Sequence, residues 1–156
     1  ENTNMRRVGI ALYGLEPDFP ENYKKNINLK QIIGLKGRVV NIHTAHDGYG
    51  VSYSYTYRAK GDRKIATIPV GYADGVPRVL SNKIFGVLNG KKVPQVGNIT
   101  MDQMMFDVTD VNCELGDVIT LLDENNSINE WAKITNTINY ELTCRLKVRL
   151  PRVYTR

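Results

Sequence analysis

The stretch 84–96, Ile84-Phe85-Gly86-Val87-Leu88-Asn89-Gly90-Lys91-Lys92-Val93-Pro94-Gln95-Val96, is a β-hairpin written out in sequence. Two runs rich in strand-forming residues flank Asn89-Gly90. Both residues of that pair tolerate positive φ, as a type I′ turn between twisted strands requires. Outward from the hairpin the same grammar repeats. Ile65–Val70 is an apolar run that stops at Gly71, and Ile99–Val108 and Val118–Leu122 are further strand candidates. Leu29–Ile42 mixes apolar and basic residues and predicts one long strand, or two interrupted near Gly34 or Gly37. Val8–Tyr13 (VGIALY) predicts a short buried strand, and Arg145–Tyr154, with Arg145, Lys147 and Arg149 alternating against Leu146, Val148 and Leu150, predicts an edge strand closed by Pro151. One helix stands out. Ser127 and Glu130 have capping-box spacing ahead of Ile128, Trp131, Ile134 and Ile138, and a second short helix is expected near Asn139. The sum is a mostly-β domain of about eight short strands with one or two short helices, in a closed or partly closed barrel that hides its edges.

Composition narrows the classes. The 156 residues are 42% hydrophobic and 24% charged, which excludes a disordered, collagenous or coiled-coil chain. No run approaches the roughly 18 apolar residues of a membrane span. Two cysteines, Cys113 and Cys144, do not make a disulfide framework, and a reduced, cytoplasmic setting is expected. The net charge of +5 permits an anionic ligand without demanding nucleic acid. The chain opens Glu1-Asn2-Thr3-Asn4 with no signal-peptide core, so a piece of a longer protein is expected.

No metal cluster is written in the sequence; His43 and His46 lack further ligands at suitable spacing. Three of the nine tyrosines crowd into Val51-Ser52-Tyr53-Ser54-Tyr55-Thr56-Tyr57, after the turn residues Asp47–Gly50. Either this is a tyrosine-rich strand, or it is a loop that presents one phenol for proton transfer. A free phenol has a pKa near about 10, so such a role needs cationic or hydrogen-bonding neighbours. Thr67–Gly75 runs from a strand into a small-residue turn where backbone approaches something closely, and Gly97–Gln103 is a polar patch whose main-chain N–H groups suit a carboxylate. Arg6-Arg7 beside Val8-Gly9-Ile10 is a surface basic pair or an anion contact.

Together these segments resemble one family. Val8–Gly14, Val51-Ser52-Tyr53 with Thr56-Tyr57, Ile68–Gly75, Met101-Asp102-Gln103 and Leu150-Pro151-Arg152-Val153 stand in the order and at the spacings of alanine racemases, over roughly Arg7 to Tyr154. The resemblance implies a fold-type III enzyme dependent on pyridoxal 5′-phosphate. Such an enzyme is a head-to-tail homodimer that interconverts L- and D-alanine for cell-wall synthesis. It also implies a division of this chain: residues 1–22 as the end of a (β/α)8 barrel with its last strand and a linker, and residues 23–156 as the C-terminal β domain. The family's cofactor-bearing lysine belongs to the barrel, and no lysine here matches it. Tyr53 matches the catalytic tyrosine, one of two bases on opposite faces of the substrate Cα, and reaches into the partner subunit. Arg7 matches the contact to the pyridine nitrogen, and Gly9 and Ile10 match the main-chain donors to the cofactor phosphate. Met101 matches a main-chain contact to the substrate carboxylate, and Tyr72, Arg78 and Asp102 match positions along the substrate path.

Three departures bear on that path: Val148 where many members have tyrosine, Asn98 where many have arginine, and Thr100 where many have cysteine or serine. They leave open the family's serine-racemase branch of vancomycin resistance, whose members add an N-terminal membrane region and would work at the cytoplasmic face of the membrane. A β-barrel nucleic-acid module is the reading from a different class. It would use Lys36, Arg38, Arg145, Lys147 and Arg149 on strand faces with tyrosines for stacking, but acids interleave those cations.

Overall fold

The computed structural model describes residues 4–17 and 28–155. Among the described residues nine strands form, in order β1 (Leu35–Arg38), β2 (Asn41–Ala45), β3 (Gly50–Val51), β4 (Tyr57–Arg58), β5 (Arg63–Ile68), β6 (Phe85–Leu88), β7 (Lys91–Val96), β8 (Met104–Asp107) and β9 (Val118–Leu122). Two helices follow, α1 (Ile128–Thr135) and α2 (Asn139–Arg145). Seven strands pair antiparallel in the order β1-β9-β6-β7-β8-β5-β2, and β3 pairs with β4 as a separate ribbon. The hairpin read from the sequence is β6–β7. Asn89 (φ 50°) and Gly90 (φ 76°) take the two left-handed positions, and Leu88 pairs with Lys91.

The sheet curls because consecutive strands occupy its two edges. β1 and β2 are separated by Val39 and Val40 alone. Val39 exchanges hydrogen bonds with Asp117 and Gly116, just ahead of β9, while the Val40 N–H donates to Thr67 on β5 at 2.9 Å. The chain therefore steps from one edge to the other in two residues, which hides most of the unpaired backbone. The barrel-like expectation holds, with the predicted break in the Leu29–Ile42 run falling at Val39–Val40 rather than at a glycine.

The curled sheet has apolar residues on both faces. The main core joins Ile68, Leu88, Val93, Met104, Phe106, Ile119 and Leu121 to Ile128, Trp131 and Leu142 of the helices. Along β8 the pattern alternates strictly, Met104 and Phe106 inward, as a strand with one face on the core must. A smaller second core of Ala45, Val51, Ala59, Ile65 and Val96 lies under the β3–β4 ribbon. It fixes the base of the tyrosine-rich segment to the sheet. In α1 the Ser127 hydroxyl caps the helix by accepting from the Asn129 N–H at 3.2 Å, and Asn136 ends it in the left-handed conformation. Ile138 thus leads into α2 instead of extending α1.

Two expected strands are absent. Val8–Tyr13 is not a strand: Ile10–Tyr13 forms a 3-10 turn closed by Gly14, whose left-handed backbone lies hard against Lys30. Only Ile10 and Leu15 reach the core, while Val8 and Leu12 face solvent. Spacing of five suits a turn, and a six-residue apolar run does not distinguish the two. Arg145–Tyr154 is not an edge strand either. Arg145 ends α2, and residues 147–150 turn back, with the Leu150 N–H donating to Lys147 at 3.2 Å. Val148 sits on that turn at 92% exposure, so the inward face implied by the alternation does not exist. Pro151 offers no N–H to a ladder, and Arg149 is drawn instead to two carboxylates. The expected boundary at residues 22–23 lies outside the described residues.

Candidate functional site

The Gly50–Arg58 ribbon is a loop at its tip and not a continuous tyrosine-rich strand. Between β3 and β4 the residues Tyr53–Tyr55 make a tight turn, with Ser52 (φ 65°), Ser54 (φ 60°) and Tyr55 (φ 46°) all at positive φ. For residues with a Cβ each such conformation costs on the order of 1–3 kcal/mol and persists only where the surroundings over-determine it. The surroundings do so here. The buried Asn98 side chain donates to the Tyr53 carbonyl at 2.7 Å, and the Ser52 hydroxyl donates to the Asn98 carbonyl at 2.6 Å. A Cβ on Gly97 would lie 2.6 Å from the Val51 carbonyl, so the loop backbone rests directly on residue 97.

The three tyrosines have three different fates. Tyr57 donates to Asp107 at 3.1 Å, and burial, reinforced by the Asp107 charge, pushes its phenol above the ordinary value. Tyr55 packs its ring onto Gly50 and under the Arg58 guanidinium, 5.6 Å from the ring centroid. Tyr53 is 74% exposed and its phenol makes no hydrogen bond to any described residue. One phenol of the three is thus presented outward on a fixed backbone.

The substrate-path candidates are tied to one another by hydrogen bonds. The turn Tyr72–Asp74 is stitched to the bend that carries Met101 ahead of β8, with Tyr72 and Ala73 N–H groups donating to the Thr100 and Met101 carbonyls, both at 3.0 Å. The Met101 N–H donates to no described residue and its side chain is exposed. Asp74 is buried, accepts from the Gly71 N–H at 2.9 Å and pairs with Arg149, which also holds Asp102 at 2.7 Å. Arg78 opens a short turn whose Ser81 hydroxyl accepts from the Ile99 N–H at 2.9 Å. Tyr72, Arg78, Arg145 and Lys147 line one groove. Hydrogen bonds thus run from the Tyr53 loop to Asn98, from Ile99 to Ser81 at the end of the Arg78 turn, and from the Tyr72 turn to Thr100 and Met101, with Arg149 joining Asp74 to Asp102. The sequence marks Arg149 only as a cation of the nucleic-acid reading, Asp74 only as part of the Ile68–Gly75 motif and Asn98 only as a departure. The polar patch after Gly97 was the available signal.

Arg7, Gly9 and Ile10 form no hydrogen bond with that group of residues. Arg7 and Gly9 are exposed. Ile10 buries its side chain, leaving its main chain as the part that can meet a ligand. Gly9 and Ile10 N–H groups donate to no described residue, and a Cβ at Gly9 would meet nothing within 4 Å. Open backbone donors beside an arginine fit an anionic group such as a phosphate. Among the described residues no cluster of His, Cys, Asp or Glu suits a metal, and no helix is long and apolar enough to cross a membrane.

Residues 32–154 match the model of the alanine racemase C-terminal domain. The chain belongs to the alanine racemase family. An alanine racemase of Nostoc sp. is 41% identical over 96% of this chain, and that alignment covers 40% of the relative. The solved alanine racemase of Clostridium difficile superposes with a TM-score of 0.88 at 36% identity, over 97% of this chain and 40% of the other. That of Bartonella henselae, solved with covalently bound pyridoxal phosphate, gives 0.84 at 35% identity, over 94% and 40%. The chain thus spans about 40% of the length of the relatives it matches. These likenesses bear out the alanine racemase resemblance and its β-rich fold; they lend no support to the serine-racemase branch or the nucleic-acid module.

Proposed function

We propose that this chain is the C-terminal part of an alanine racemase and supplies the Tyr53 phenol as one of the two groups that carry a proton to and from the substrate Cα. The observation that carries the reading is the sorting of the tyrosines: Tyr57 is committed to Asp107, Tyr55 to Gly50 and Arg58, and Tyr53 projects freely from a loop whose backbone is held. An exposed phenol on a fixed backbone has no use for the chain that bears it. It suits a second subunit's barrel in a head-to-tail homodimer, where a single well-placed acid–base group is worth about 10²–10⁴-fold in rate.

The relative solved with bound pyridoxal phosphate supports the same cofactor here. Gly9 and Ile10 would offer main-chain donors to its phosphate and Arg7 its guanidinium to the ring nitrogen. When bound, that cofactor supplies the electron sink that makes an amino-acid Cα proton removable. A guanidinium can only donate, so a ring nitrogen held by Arg7 would serve as the acceptor. That restrains the sink and disfavours side reactions such as transamination. The free Met101 N–H would hold the substrate carboxylate, and Tyr72, Arg78 and Asp102 would set the width and charge of its path. The proposed setting is cytoplasmic. The test is racemisation by the full-length protein: with cofactor present, L-alanine should yield D-alanine. Turnover of serine in preference to alanine would overturn the substrate assignment.

A further inference from the structure

We propose that Asn98 is a positioning residue for Tyr53, acting through the loop backbone and not on the substrate. This rests on the reading of Tyr53 as a proton-carrying group. The phenol has no hydrogen-bond partner among the described residues, so its place is set by the main chain of residues 52–55. That main chain is held against its own preference, with Ser52, Ser54 and Tyr55 at positive φ. The strongest hold on it is one residue. Asn98, 6% exposed, donates from Nδ2 to the Tyr53 carbonyl and accepts at its own carbonyl from the Ser52 hydroxyl, so it grips both sides of the Ser52–Tyr53 peptide.

Asn98 is itself anchored. The Gly97 N–H donates to Asn82 Oδ1 at 2.7 Å, the Asn82 N–H donates to Gln95 Oε1 at 2.7 Å, and Gln95 Nε2 donates to the Gly97 carbonyl at 2.9 Å. Asn82 Nδ2 reaches Thr56 Oγ1 at 3.1 Å, on the far side of the loop. Both ends of the strained turn are therefore tied to one polar cluster rooted in the 2%-exposed Gln95. Satisfied buried networks rigidify what they touch. The device places its rigidity where the phenol needs it.

The experiment uses the full-length racemase loaded with cofactor, and follows exchange of the Cα proton of L- and D-alanine separately in deuterated water. Each of two bases on opposite faces serves one enantiomer, so Tyr53→Phe identifies the enantiomer that Tyr53 serves. Asn98→Ala should slow exchange of that same enantiomer by about tenfold to a hundredfold, the scale of a displacement of about 1 Å, and leave the other far less affected. Amide hydrogen exchange at residues 52–55 should rise in the same variant. Ser52→Ala, which removes the reciprocal bond without touching Asn98, should act in the same direction and carries the test if Asn98→Ala does not fold. Equal slowing of both enantiomers, or no slowing in both the Asn98 and Ser52 variants, overturns the proposal while Tyr53→Phe remains selective. If Tyr53→Phe slows neither enantiomer, the reading of Tyr53 is what fails.

Discussion

Arg149 grips Asp74 at two points, Nε to Oδ1 at 2.6 Å and Nη2 to Oδ2 at 3.0 Å, and the same Nη2 meets Asp102 Oδ1 at 2.7 Å. The carboxylate at Asp74 is 5% exposed while the guanidinium is 48% exposed, so the pair closes over the turn rather than lying on open surface. Hydrogen bonds to Asp74 first, then to Asp102, hold the guanidinium firmly in its charged form. The Lys147 N–H adds a bond to the Asp74 carbonyl at 3.1 Å, and a Cβ on Gly75 would strike the Arg145 carbonyl. The C-terminal turn is thus locked to the Tyr72 and Met101 side of the candidate site.

Arg149→Ala leaves the Asp74 charge buried without its partner, the costly way to break such a pair. The thermal midpoint of the chain should fall by about 5 °C or more. Arg149→Lys should recover little, because an ammonium cannot reproduce the two-point contact. Adding Asp74→Asn to Arg149→Ala should restore part of the loss by removing the stranded charge. An unchanged midpoint for Arg149→Ala in a thermal melt would sink the lock.

At alkaline pH a different pair governs stability. Burial and the Asp107 charge raise the Tyr57 phenol above its ordinary 10.0, and burial, then Asp117, raises the Cys113 thiol above its ordinary 9.0. A group raised on folding stabilises fully below its unfolded pKa and loses that contribution as pH rises through the folded one. Stability should therefore decline from about pH 9 upward, first through Cys113 and then through Tyr57. In Tyr57→Phe the decline above about pH 10 should be shallower than in the parent. Parallel curves for parent and variant across that window, in denaturant titrations at stepped pH, would contradict the assignment.

The hairpin turn offers a cleaner measurement. Gly90 sits at φ 76°, and a Cβ there would meet nothing within 4 Å. Gly90→Ala therefore tests backbone conformation alone, and should cost about 1–2 kcal/mol, the penalty for an L-residue in the left-handed region. The denaturant midpoint should drop with its slope unchanged. A neutral result would mean that the turn relaxes out of type I′ geometry.

Asn89-Gly90 was legible because turn chemistry is local: two residues specify the backbone, and the flanking runs do the rest. Ser127 was legible for the same reason. Val8–Tyr13 and Arg145–Tyr154 do not form the strands their patterns predict, because apolar runs and alternation report which residues are buried, not which partner they meet. Ile10 and Leu15 meet a core already built by the sheet, and Arg149 is claimed by Asp74, 75 residues earlier in sequence. Tyr53 was found as a candidate through its crowded, glycine-flanked setting and the family motif. What separates it from Tyr55 and Tyr57 is contact with Gly50, Arg58 and Asp107, and only Asp107 is distant enough in sequence to leave no local mark. The clamp from Asn98 on Ser52 and Tyr53 spans 45 residues or more and is likewise invisible until the ribbon folds onto β7.

The sorting of the tyrosines gives the sharpest functional prediction. In the full-length enzyme Tyr53→Phe should lower racemisation by about 10²–10⁴-fold, the usual contribution of one positioned acid–base group. The ring remains and only the hydroxyl is lost. That hydroxyl bonds to no described residue, so the thermal midpoint should not move. Cofactor should stay bound, read from its absorbance after gel filtration, because the substitution leaves the candidate phosphate donors Gly9 and Ile10 unchanged. Tyr55→Phe is the control. Its phenol is equally accessible in outline, at 60% exposure, but its ring is pinned on Gly50 beneath Arg58 and cannot swing into another subunit. It should retain most activity. Loss of activity in Tyr55→Phe with near-normal rates in Tyr53→Phe would exchange the two roles and remove the basis for Tyr53 as the proton carrier.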